Sequence, residues 1–328
     1  MVDVTNFRVP PGERLRNAAN YAVIVALLMI VAAFALAAPS FLTPANLYNL
    51  VLNNVVLLAI VAIGMTLVVS SGGIDLSVGI SVDMASMAFI MLLKGGALLG
   101  VALGAGIGVA LIVGLVNAIL ITRLKISPFL ATLGILFIGQ SVQKIASGGG
   151  KPIYLANAQY APTFDSIVKS SVLGIPTPMF VLLVLAVAVY VLLHRSVFGR
   201  YVQALGAQPG VAWFSGIRVP FHTSIVYILA AGLCGVAGIL LSSTVKSYVP
   251  LSGDGFLLDA IGACFIGTTI SSERRPSVLG TLIGVLLLAV TRNGLLLVGW
   301  NFYWQQVGIG VLVFSVLALS FGLRGRGH

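Results

Sequence analysis

Of 328 residues, 59% are hydrophobic and only 8% are charged, and the mean hydropathy is +1.11. So little polar surface cannot cover a water-soluble globule of this size, which excludes a soluble enzyme or soluble binding module and leaves lipid as the solvent. The net charge of +10 does not mark a nucleic-acid binder, because Lys and Arg stand at the ends of apolar runs instead of in a patch interleaved with aromatics.

Residues 1–19 read as a polar N-terminal arm. The first apolar run, 21–38, follows Arg14 and Arg16 and contains Ala35-Leu36-Ala37, which imitates a signal-peptide cleavage site. Its length, and the apolar runs that follow, predict an uncleaved first helix. A spanning helix needs about 20 mostly apolar residues, and this criterion predicts ten: 20–38, 47–70, 74–93, 97–121, 128–147, 178–194, 220–242, 256–271, 277–298 and 303–323. The fold class is therefore an all-α polytopic membrane protein with about ten transmembrane helices, one membrane domain over 20–323 and a short tail, 324–328.

With the N-terminus cytoplasmic, the inner side holds Arg8, Arg14, Arg16, Arg123, Lys125, Arg195, Arg200, Arg218, Arg274, Arg275, Arg324 and Arg326, twelve of the eighteen basic residues. The outer side holds Lys94, Lys151, Lys169 and Lys246. That bias, with an even number of spans, predicts both termini in the cytoplasm.

Two connections are longer than a turn. The outer stretch 147–177, with Gly148-Gly149-Gly150, Pro152, Pro162 and Pro176, reads as an extracytoplasmic loop. In the inner stretch 195–219, residues 201–214 can form a short amphipathic helix broken by Gly206 and Pro209, the form expected of a partner-docking element. Small residues recur at Gly100, Gly104 and Gly108, at Gly232, Gly235 and Gly238, and at Gly280 and Gly284. Such stripes let helices approach closely in lipid, within one chain or across a dimer seam. Cys234 and Cys264 lie in separate apolar runs with no metal-site spacing, and His194, His222 and His328 form no cluster with acids, so neither a metal nor catalysis is expected.

Between the second and third spans, Ser70-Ser71-Gly72-Gly73-Ile74-Asp75-Leu76-Ser77 interrupts the helical pattern. Asp75 or Ser77 can accept the N–H groups freed at the next helix start. An acidic residue inside a membrane is also a functional candidate, because its burial is costly. Residues 64–69, Gly-Met-Thr-Leu-Val-Val, running into Gly72-Gly73-Ile74-Asp75-Leu76-Ser77-Val78-Gly79, resemble the signature of ribose-type permeases of ATP-binding-cassette (ABC) importers. The resemblance continues in order through Asn117-Ala118 and Lys125 to Gly134, through Gly199-Arg200-Tyr201 and Ser215-Gly216-Ile217-Arg218, and through Leu258-Asp259-Ala260-Ile261 and Asn293-Gly294-Leu295.

By this resemblance the chain sits in a bacterial inner membrane and pairs with a second permease subunit, as a homodimer or a heterodimer. It receives a monosaccharide from a soluble sugar-binding protein and is driven by a separate ATPase that uses ATP. Arg200, Tyr201, Gly206, Gly216, Arg218, Arg274 and Arg275 are the expected ATPase-coupling residues. No cofactor is expected on this chain. Its one phosphate-loop-like stretch, Gly148-Gly149-Gly150-Lys151, lacks the first glycine, since position 145 is Ile, and Lys151 is followed by Pro152.

Two charges depart from the family pattern, Asp83 on the third span and Arg292 on the ninth. An unpaired charge near mid-bilayer costs at least about 2.5–3.5 kcal/mol on insertion scales, so their joint presence predicts an Asp83–Arg292 ion pair beside the solute path. A charge swap between the two would test it. With Asp75, Asn53, Asn54, Thr66, Asn117 and Gln140 they make up the substrate-path candidates, although packing hydrogen bonds account for intramembrane amides equally well. The alternative from another class is a gradient-driven secondary transporter in which Asp75 and Asp83 carry a proton.

Overall fold

A computed structural model describes residues 11–155, 158–270 and 275–325 of the chain. Each of the ten predicted segments is helical. In chain order the helices are α1 (Pro11–Ala37), α2 (Pro44–Ser70), α3 (Val78–Lys94), α4 (Leu99–Thr122), α5 (Pro128–Ala146), the short outer α6 (Ala161–Val168), α7 (Thr177–Arg195), α8 (Val197–Ala207), α9 (Pro209–Phe214), α10 (Val219–Val245), α11 (Asp254–Ile270), α12 (Val278–Leu297) and α13 (Phe302–Gly325). Among the described residues six helices, α2, α4, α5, α7, α10 and α12, are long and apolar enough to cross a membrane on length and composition. The protein is thus an all-α polytopic membrane protein.

The core is built around α3, whose residues are almost all buried. Helices α4 and α10 pack on it and on each other, α2 packs on α10, and α11 and α12 form a second pair against α2. Small residues at crossings let this happen without lipid-excluded polar groups, since the gain is close dispersion contact. At Gly238 of α10 an added Cβ would stand 2.1 Å from the Val82 carbonyl oxygen of α3, and at Gly284 of α12 one would stand 2.2 Å from that of Ala263 in α11. These two stripes are internal packing seams. The Gly100, Gly104 and Gly108 stripe is not: nothing lies within 4 Å of where their Cβ atoms would be.

Two local expectations change. The third span begins at Val78 instead of residue 74, because Gly72 turns the chain with φ +84° and residues 73–77 run without helix. The inner connection forms two helices, but only Pro209 breaks it. The preceding Gln208 is extended at φ −155°, as the residue before a proline prefers, while Gly206 stays inside α8. Ser196 caps α8, its hydroxyl accepting the Gly199 N–H at 3.1 Å.

On the outer side, β1 (Ile153–Tyr154) pairs antiparallel with β4 (Ser247–Tyr248), and β2 (Ser171–Val172) pairs with β3 (Ile175–Pro176). Asp165 of α6 bridges Lys169 at 3.2 Å and Lys246 at 3.6 Å. The 147–177 loop is therefore tied to the segment that links α10 and α11.

Candidate functional site

Among the described residues, three buried polar clusters lie inside the bundle. The first fills the α2–α3 break. Asp75 is buried, and one of its carboxylate oxygens, Oδ1, accepts the Ser77 N–H at 2.7 Å and the Ser77 hydroxyl at 2.6 Å. The freed N–H is thus taken up by Asp75, not by the Ser77 side chain. Asn117 of α4 donates to the Ser77 hydroxyl at 2.7 Å, and Thr132 of α5 accepts the Leu76 N–H at 3.1 Å. The break is pinned from two neighbouring helices. A Cβ on Gly73 would lie 2.3 Å from the buried Tyr227 hydroxyl, so a larger residue there has to displace that ring.

Asp83 anchors the second cluster. Its Oδ1 accepts the Ser252 hydroxyl at 2.9 Å and the Gly253 N–H at 2.8 Å, closing the α10–α11 segment over α3. The close approach is mutual, since a Cβ on Gly79 would lie 2.7 Å from the Gly253 carbonyl oxygen. Gln143 of α5 accepts the Tyr248 hydroxyl at 3.0 Å and the Leu251 N–H at 3.1 Å, and Gln140 donates to Asp254 at 2.9 Å.

The third cluster corrects the predicted ion pair. Arg292 bonds Asp259 of α11 at 2.5 Å and does not pair with Asp83. The reason is helical phase: Arg292 faces α11 across the α11–α12 seam, whereas Asp83 lies under residues 252–253. Between α2 and α12, Asn46 and Asn293 exchange amide hydrogen bonds at 2.9 and 3.1 Å, and Thr66 meets Thr281 at 2.7 Å. Thr66 is thus fully buried as a link between α2 and α12.

On the other predicted residues, Asn53 is exposed and Asn54 half-buried on the π-helical turn of α2. Arg200, Tyr201, Gly216, Arg218 and Arg275 are exposed around α8 and α9, together with Trp213 and Phe214. Arg274 lies outside the described residues. Gly206 packs its backbone on the α2 terminus, where a Cβ would meet the Ser70 carbonyl oxygen at 2.2 Å. Val69, Ser70, Gln203, Gly206, Ala207, Arg275 and Pro276 line a cleft of about 370 Å³ beside that contact.

A family model described as the permease component of a branched-chain amino acid transport system matches residues 47–317. The chain belongs to that permease family. The permease is 34% identical over 299 residues to the ribose import permease protein RbsC of Escherichia coli (strain K12), covering 90% of this chain and 92% of the relative. It is 35% identical over 282 residues to RbsC of Bacillus subtilis (strain 168), 86% of each chain, and 30% identical over 315 residues to the D-allose transport system permease protein AlsC of E. coli (strain K12), 92% and 91%. No solved structure matches.

Sequence patterning missed the partners of these side chains. Ser252 bonds Asp83, Asp254 bonds Gln140 and Asp259 bonds Arg292, while Gln143 and Tyr248 bond each other. Asp259 carried the one signal available, a carboxylate inside an apolar run.

Proposed function

We propose that this chain is one half of the pore of an ATP-driven monosaccharide importer. A soluble sugar-binding protein loads it from outside, and a separate ATP-binding-cassette ATPase drives it from the cytoplasm. The observation that carries the reading is its similarity, over about nine-tenths of its length, to import permeases for ribose and allose. This favours ATP drive over the gradient-driven alternative and a sugar over an amino acid. Ten helical segments support ten crossings with both termini cytoplasmic. The exposed aromatic and basic face of α8 and α9 supports docking of the ATPase there, with Arg200, Tyr201 and Arg218 at its edge.

In this mechanism closure of the ATPases pushes α8, and α8 bears on the α2–α3 break through Gly206 and Ser70. The break then re-aims α3, whose buried length reaches the α10–α11 segment at Gly253. No bond chemistry is performed by this chain. Gly206→Ala, which wedges α8 off the break, should lower sugar-driven transport by about tenfold while the complex still assembles. Unchanged uptake in proteoliposomes would remove Gly206 from the transmission.

The direct test of the function is copurification of the tagged chain with its co-expressed genomic neighbours, followed by a sugar-stimulated ATPase assay. Recovery of an ATPase and a sugar-binding protein, with turnover responding to a sugar, is the expected result. A chain that elutes alone and moves solute in liposomes without ATP would overturn it.

A further inference from the structure

Helix α8 bears on α2 and on α10. In its C-terminal half Gly206 meets the end of α2. In its N-terminal half Phe198 and Tyr201, three residues apart and so on one face, meet the imidazole of His222 near the start of α10. His222 is only 9% exposed. Its ring centroid lies 5.7 Å from that of Phe198, tilted at 34°, and 5.1 Å from that of Tyr201, edge-on at 81°. Phe221, its neighbour in the chain, adds a third ring at 5.4 Å and 89°. All three distances fall within the roughly 4.5–7 Å at which aromatic rings pair.

The imidazole is also fixed to its own helix. Its Nδ1 lies 2.9 Å from the Arg218 carbonyl oxygen at the α10 N-cap. A carbonyl only accepts, so Nδ1 carries the proton and donates, which sets the ring plane. Held by a hydrogen bond to one helix and by ring contacts to another, the side chain has no free rotation with which to absorb a shift of α8. Helix α10 is built to use such a shift. It runs 27 residues without interruption, about 40 Å at 1.5 Å per residue. Along its length it packs on α3 and α4, with Gly238 against Val82, and the segment that follows it is pinned to α3 by Asp83.

We propose that His222 is a positioning residue that passes the movement of α8 directly into α10, a second route beside the one from Gly206 to the α2–α3 break. The proposal rests on the importer reading above, in which the partner ATPase moves α8. The two routes act on α3 at different places: the break re-aims its start, while α10 carries its flank and the 247–253 segment. A side chain that only filled space between α8 and α10 would matter for assembly and stability. One that transmits movement sets how much transport each ATP yields.

The ring contact and the hydrogen bond can be separated by substitution. His222→Phe keeps a ring without the donor, and His222→Ala removes both. Phe198→Ala removes a ring from the α8 side and leaves His222 with its hydrogen bond in place. Each variant, and the double alanine variant, is reconstituted in proteoliposomes with the partner ATPase and binding protein, and ATP hydrolysis and sugar uptake are both measured. The probe is whichever of D-ribose, D-allose or D-galactose wild type takes up. His222→Ala and Phe198→Ala should each raise the ATP hydrolysed per sugar imported at least about fivefold, with assembly at wild-type yield. The double variant should be no worse than the worse single, because both changes break one contact. His222→Phe should stay within about twofold of wild type. A wild-type ratio in both alanine variants would overturn the proposal, and so would effects that multiply in the double variant or a His222→Phe as uncoupled as His222→Ala. Should His222→Ala fail to assemble, Phe198→Ala, at a half-buried position, decides alone. If wild type with its partners imports none of these sugars, the importer reading fails and this proposal falls with it, a result read in wild type and so distinct from a failure at His222.

Discussion

Arg292→Met should destabilise the protein by about 3–5 kcal/mol in chemical unfolding from mixed micelles, because it strands Asp259. The Asp259 side chain is only 7% exposed, and its ion pair with Arg292 is the interaction that offsets its desolvation. Asp259→Leu combined with Arg292→Met should recover most of the loss, since apolar residues of similar volume often replace a buried ion pair at little cost. Exchanging the charges of Asp83 and Arg292 should rescue nothing. Each carboxylate has its own partners, Ser252 and Gly253 for Asp83 and Arg292 for Asp259. Destabilisation below about 0.5 kcal/mol in the single variant would show that the pair contributes no more than an exposed one.

Gly238→Ala should cost about 3 kcal/mol, at the upper end of overpacking, although alanine is the better helix former by about 1 kcal/mol. A Cβ 2.1 Å from the Val82 carbonyl oxygen meets backbone, which cannot rotate aside, so α10 and α3 must separate. The separation falls one residue from Asp83, so transport should fall with stability. Gly232→Ala, on the same helix, supplies the comparison. Its nearest neighbour is the end of the Leu111 side chain at 3.1 Å, which can turn away, and its cost should stay below about 1 kcal/mol. Equal effects at the two positions would mean that the seam is softer than its geometry implies. The two unfolding midpoints, measured side by side, decide this.

Much of the fold was legible before any coordinate. Every long apolar run became a helix, because in lipid the backbone must satisfy its own hydrogen bonds within the segment. The Gly72-Gly73 break and the Pro209 break were legible for similarly local reasons. Gly206 was not, because a glycine that breaks a helix and a glycine that admits a neighbouring backbone look the same in a sequence. The Gly100, Gly104 and Gly108 stripe repeats the spacing of a packing seam but faces away from this chain's other helices. Spacing alone does not say which surface a stripe meets.

The site divided in the same way. Composition, local pattern and residue order are enough to set the solvent, the helices, the family and the presence of costly charges at Asp75, Asp83 and Arg292. Which charge meets which is a matter of packing. Asp259 lies 33 residues from Arg292, and Ser252 lies 169 residues from Asp83. Partners that far apart are chosen by helical phase and by how closely α3, α10, α11 and α12 approach, quantities that depend on all the packed helices at once and on no segment alone.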